Sequence, residues 1–104
     1  MTLPEFEASL KAACPETYET AAPKGARRYV VWAAYGREPV FGDDRNQMDA
    51  PKMQLDIVSN QHHDTLVDDV CAALWMMDLT YSVVSEGYDP EYNGYRTILQ
   101  LVVI

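Results

Sequence analysis

Apolar residues recur at three- and four-residue spacing near the start of the chain, at Leu3, Phe6, Leu10 and Ala13, the period of a helix with one buried stripe. Thr2-Leu3-Pro4-Glu5 supplies its start: threonine as N-cap, proline among the first helical positions, and glutamate placed to close a capping box. Pro15 ends the helix, and residues 15–26, PETYETAAPKGA, read as a polar connector broken by Pro23 and Gly25. The period then changes to two. Residues 27–36, RRYVVWAAYG, form a strand that is apolar in both registers, with Tyr29, Val31, Ala33 and Tyr35 on one face and Val30, Trp32 and Ala34 on the other. Such a strand must be covered on both faces by its own chain or lie against a second protein.

The breakers Pro39, Gly42 and Pro51 in residues 37–51, REPVFGDDRNQMDAP, predict a long loop with at most a short strand around Val40-Phe41. Residues 52–59, KMQLDIVS, alternate: Met53, Leu55 and Ile57 inward, Gln54 and Asp56 outward, with Val58 the exception, as in a half-exposed antiparallel strand. Asn60 to Asp64 form a turn. Thr65 to Asp68 repeat the capping box with aspartate in place of glutamate, and Leu66, Val70, Ala73, Leu74 and Met77 make a second helical stripe. Asp64, Asp68 and Asp69 lie in its first turn, where the helix dipole favours anions. Trp75 and Met76 sit partly off the stripe but are assigned to the core. A third strand covers Thr80–Glu86, and Gly87 to Gly94 make a turn-rich tip with Asp-Pro and Asn-Gly. The last strand, Tyr95 to Ile104, has only Gln100 as a polar interruption after Ile98, so it must be central in its sheet or covered by another chain. The order α-β-β-α-β-β predicts an α+β fold, a mostly antiparallel or mixed sheet flanked by two helices, with residues 1–104 as one domain.

Sixteen Asp and Glu against eight Lys and Arg give a net charge of −8, which argues against a partner gripped through nucleic-acid phosphates. The start of the chain lacks a basic segment followed by an apolar core, so no signal peptide is expected, and no apolar run approaches the roughly 20 residues that cross a bilayer. Cys14 and Cys71 have no CxxC spacing. They read as reduced, packed thiols of a cytosolic protein, with a single disulfide as the alternative. His62-His63-Asp64 is the one ligand-like cluster, but adjacent side chains diverge on regular elements and partner ligands are lacking, so it reads as a solvated turn. Cys71 lies two turns down an apolar helix from these histidines, and the glycines are isolated turn residues. No nucleophile–base pair, phosphate cradle, cofactor or metal site is therefore assigned, and no enzymatic activity is expected. The tyrosines are more suggestive. Tyr81, Tyr88, Tyr92 and Tyr95 gather around the closing hairpin, and Tyr29, Trp32 and Tyr35 lie on the first strand; both residue types are enriched in protein–protein interfaces.

The aromatic strand RRYVVWAAYG, the strand MQLDIVSN, the helix DTLVDDVCAALWMM and the hairpin SEGYDPEYNGYRTILQLVVI together resemble the small tail-completion or tail-terminator proteins that join head and tail in long-tailed phages. QLDIVS fits the strand pattern that precedes the helix in that family, and YDPEYNGYR fits its closing hairpin. The resemblance covers most of the chain from Arg27 onward. It implies a subunit of a homo-oligomeric ring, typically of six copies, that caps the tail tube, docks to the head connector and lets DNA pass without specific binding. The protein would then reside in the virion at the head–tail junction, after assembly in the cytoplasm of the bacterial host. On this reading Arg27, Arg28, Arg37, Asp43, Asp44 and Arg45 are ring-interface charges, and Tyr88, Tyr92 and Tyr95 belong to the subunit or partner interface. The charge alone also allows a small acidic protein-binding module, an inhibitor or DNA mimic that occupies a basic site on a host protein.

Overall fold

The computed structural model describes residues 1–41 and 47–103, with residues 38–41 and 47–49 described by their backbone alone. Two helices and five strands follow in the order α1 (Leu3–Ala13), β1 (Thr17–Glu19), β2 (Arg28–Phe41), β3 (Gln47–Ser59), α2 (Leu66–Met76), β4 (Tyr81–Asp89) and β5 (Gly94–Val102). The strands form one mixed sheet in the spatial order β1-β2-β3-β5-β4, so the fold is α+β. β1 runs parallel to β2, and every other pairing is antiparallel.

The start of α1 forms as its sequence predicts. Thr2 Oγ1 accepts a hydrogen bond from the Glu5 backbone N–H at 3.2 Å and donates to the Glu5 carboxylate at 3.1 Å. Phe6 and Leu10 are buried on the predicted stripe, and Leu3 packs against the core they enter. The second helix starts differently. Thr65 has helical dihedrals and makes no capping bond; Asp64 takes that role, its Oδ1 accepting from the Leu66 N–H at 3.0 Å. Thr65 instead donates from its hydroxyl to Asp69.

Strand alternation divides the sheet. Val30 and Trp32 of β2, Met53, Leu55 and Ile57 of β3, and Leu99 and Leu101 of β5 share one cluster with Phe6, Leu10, Leu66, Val70 and Leu74 of the helices. Phe6 meets the Trp32 ring edge-on, with centroids 6.0 Å apart. The Trp32 register is thus covered by the helix layer. In the other register Tyr29 is buried beside Val58, its cross-strand partner, while Val31 and Ala33 are half-buried and Tyr35 is exposed. Val58 is inside because its neighbour on the other side is Arg96 of β5, which carries Tyr92 laid over its guanidinium at 4.3 Å. The apolar β5 lies between β3 and β4, so its own sheet covers both of its edges.

Two expectations need correction. Residues 37–51 are not a long loop: β2 continues to Phe41 and β3 begins at Gln47, extending the central pair as an antiparallel ribbon. Pro39 is tolerated because the outer edge of β2 is unpaired there, and Pro51 because it sits at the end of the β3–β5 ladder, where its carbonyl accepts from the Val103 N–H at 3.0 Å and no donor is required of it. The connector after α1 also holds a strand, β1, whose Thr17 hydroxyl donates to the Cys14 carbonyl at 2.6 Å. The ribbon gives the molecule an elongated outline of 48 × 23 × 22 Å.

Candidate functional site

The surface best equipped for contact is formed by β4 and the end of α2. The buried positions of α2 are Leu66, Val70 and Leu74, a strict four-residue repeat. Trp75 and Met76 fall outside it and stand 81% and 83% exposed, contrary to their assignment to the core. Beyond Leu79, which is buried, β4 forms the sheet edge and is exposed along nearly its whole length. Val83 and Val84 are each more than half exposed, at an irregularity in which Val83 opposes Leu99, Ser85 opposes Ile98 and Val84 between them is left without a partner in the register. Tyr81 lies at the Leu101 end of the strand, a full strand length from Tyr88, so it does not join the tyrosines of the hairpin tip. Its phenol is pushed above its ordinary value, chiefly by a hydrogen bond with Cys71.

At the other end of β4, a groove of about 750 Å³ opens between the start of α2 and the strands. An aromatic series lines it. His63 stacks on His62 with ring centroids 3.8 Å apart, His62 on Tyr95 at 4.6 Å, and Tyr88 meets Tyr95 edge-on at 5.4 Å. The two histidines converge because His63 has a left-handed backbone, φ 61°, which breaks the alternation expected of neighbours on a regular element. Asp68 and Glu86 add carboxylates to the groove. Among the described residues no three His, Cys, Asp or Glu side chains are arranged around one ion position.

Asp64 anchors this end. Arg28 grips it with two hydrogen bonds, Nε to Oδ2 at 2.8 Å and Nη2 to Oδ1 at 3.1 Å, and the Ser59 hydroxyl donates to Oδ2. The Arg28 guanidinium, with help from Ser59 and the Leu66 N–H, holds the Asp64 carboxyl down at about 2, against the opposing effect of its burial. Arg28 is therefore a structural cation tying β2 to the entry of α2. Arg96 plays a similar part on the opposite face, bonded to Asp56 at 2.7 Å and Asp89 at 3.2 Å.

The remaining predicted interface residues are dispersed. Arg27 is exposed and shares a hollow with Asn60 and Tyr92 on the side away from the groove. Tyr88 and Tyr95 face the groove together, whereas Tyr92 covers Arg96. Arg37 is exposed on the ribbon, where it opposes Pro51. Asp43, Asp44 and Arg45 lie outside the described residues. Sequence reasoning missed Trp75, Met76, Val83 and Val84. The four-residue repeat of Leu66, Val70 and Leu74 was the available signal for the first two, since it leaves 75 and 76 on the outer side. Cys14 is buried, Cys71 is half-buried, and neither forms a disulfide. No helix is long and apolar enough to cross a membrane among the described residues. Set against known proteins, the chain matches no family model and no curated protein.

Proposed function

We propose that the chain is a structural subunit of a bacteriophage tail, assembling as a ring that caps the tail tube and joins it to the head. The observation that carries this reading is the exposed flank of α2 and β4. Trp75, Met76, Val83, Val84, Tyr81 and Tyr88 are large apolar or aromatic side chains held in water along one side of a small molecule. Such a flank is a liability in a protein that works alone and an asset in one that is covered on assembly. The charge of −8 supports the same reading, because a ring through which DNA slides benefits from carboxylates that repel phosphates. The strand QLDIVS and the hairpin YDPEYNGYR, by their resemblance to tail-completion proteins, point the same way. In this role the chain needs neither catalysis nor cofactor; its partners are copies of itself, the tail tube protein and the head connector.

The test combines light scattering and negative-stain microscopy of the purified chain, alone and with tail tubes, with addition to a phage lysate that lacks this protein. Rings on tube ends and restored infectious particles are expected. A chain that stays monomeric with tubes present and restores nothing overturns the reading.

A further inference from the structure

We infer that copies of this chain join head to tail through one continuous sheet, β4 of one copy pairing with the outer edge of β2 in the next; the choice of a second copy as occupant rests on the ring reading above. Among the described residues the two longest unpaired edges belong to β4 and to the outer side of β2, on opposite sides of the sheet; β1 and Gln47–Ala50 of β3 leave shorter ones. β4 is open along its outer side from Tyr81 to Asp89, nine residues. β2 is covered by β1 only over Val30–Trp32, with the Thr20 N–H closing on the Trp32 carbonyl at 2.8 Å. From Ala34 to Phe41 its outer side is open, a stretch one residue shorter than β4; Pro39 within it has no N–H to donate, so a ladder on this edge lacks one bond there.

Direction agrees with length. β2, β3, β5 and β4 alternate antiparallel, so β4 runs opposite to β2. A second copy laid beside the first in the same orientation presents its β2 antiparallel to β4, the ladder already used between these strands, with both helix layers on one side. Within each sheet Tyr81–Tyr88 of β4 lies level with Arg28–Ala34 of β2, Tyr81 with Ala34 and Tyr88 with Arg28. Meeting Ala34–Phe41 therefore staggers each copy along the strands, the shear that a sheet needs to close on itself. Because the two edges differ, the contact is heterologous and generates a ring when its rotation closes.

Charge selects this pairing over a symmetric β4–β4 contact. No lysine or arginine occurs between Lys52 and Arg96, while Glu86 lies on β4, so a symmetric contact joins two edge strands that each carry Glu86 and no cation of their own to meet it. The open part of β2 includes Arg37, which is exposed, and Lys52 is paired across from Gly36. Of the two antiparallel registers that overlap the shorter edge fully, the one that sets Asp89 against Ala34 brings Glu86 beside Arg37 of the next copy. Neither side chain has an ion-pair partner among the described residues.

Cysteine cross-linking tests the joint on the full chain with Cys71→Ser as background. Arg37→Cys and Glu86→Cys are made separately, mixed and oxidised under conditions where light scattering shows association. Disulfide dimers are expected in the mixture, a ladder of multimers when one chain carries both changes, and no product from Arg37→Cys or Glu86→Cys alone. Glu86→Cys linking to itself would overturn the inference in favour of the symmetric contact. Rings that form without cross-linking overturn the joint but leave the ring reading standing; ladders from a chain that never caps a tail tube leave the joint standing and overturn the tail reading. A charge swap is the second measurement. Arg37→Glu or Glu86→Arg alone should weaken association about tenfold, near 1.4 kcal/mol, and the two combined should restore it; failure to restore it counts against the joint.

Discussion

Asp64 concentrates several tasks in one carboxylate: it caps α2, accepts from Ser59 and receives both arms of the Arg28 guanidinium. Its folded value of about 2 lies below that of an unfolded aspartate. The stabilisation is therefore complete above pH 4 and fades as pH falls from 4 through 2, because the unfolded chain takes up the proton first. Acid titration of unfolding free energy should lose at most about 2.5 kcal/mol from this group, and Asp64→Asn should flatten that part of the curve. A curve of unchanged slope in the variant would show that other carboxylates govern acid stability. Gly94 is a second residue whose task was hidden in the sequence, where it reads as a turn glycine. A Cβ there would come within 2.7 Å of the Ser59 carbonyl oxygen, so the hairpin tip and the end of β3 approach only because the side chain is absent. Gly94→Ala should cost about 1–3 kcal/mol by denaturant unfolding; a neutral variant would mean that the backbone gives way freely.

At the level of elements, both helices were legible from their apolar stripes, and β3 and β5 from their alternation or apolar content, because burial on one packed face leaves a period in the sequence. The ribbon was not legible. Pro39, Gly42 and Pro51 signal loop, and only the unpaired outer edge of β2 at Pro39 and the end of the β3–β5 ladder at Pro51 make these prolines acceptable in a strand. β1 is three residues long and held mainly by its ladder to β2, too short for any period to register. The fate of Trp75 and Met76 was readable only by weighing the strict four-residue repeat of α2 above their hydrophobicity. Their exposure gives a direct measurement. Trp32 is buried and Trp75 is not, so iodide should quench one of two tryptophans in the free chain. Trp75→Ser with Met76→Ser should leave unfolding free energy within about 0.5 kcal/mol while weakening self-association. A large loss of stability would place these residues in the fold itself.

At the level of the whole molecule, an elongated body with a long open edge on each side of its sheet is suited to chain-like association. The amide groups of Ala34 to Phe41, Pro39 excepted, and of Tyr81 to Asp89 that point away from the sheet should exchange hydrogen rapidly in the free chain. On assembly both sets should slow together. Protection of β4 alone would favour the symmetric contact, and protection of neither would place the interface elsewhere.

The position of β5 has a consequence for the order in which the molecule is built. β4 precedes β5 in the chain, yet it touches the rest of the sheet only through β5. β2 and β3 can zip locally, but β3 must then wait for a strand some 40 residues away, as in the pairing of Asp56 with Ile98. Until that strand arrives, the inner face of β3 and its unpaired edge are open together, and β4, which can zip locally onto β5, reaches the sheet only when their hairpin docks on β3. Closing so long a loop before its contacts reward it is the slow event expected of this topology. Leu99→Ala should therefore slow refolding, whereas Leu10→Ala should act mainly by speeding unfolding, in a stopped-flow comparison of the two. The same slot that hides the most apolar strand of the chain thus makes that strand the gate through which folding passes.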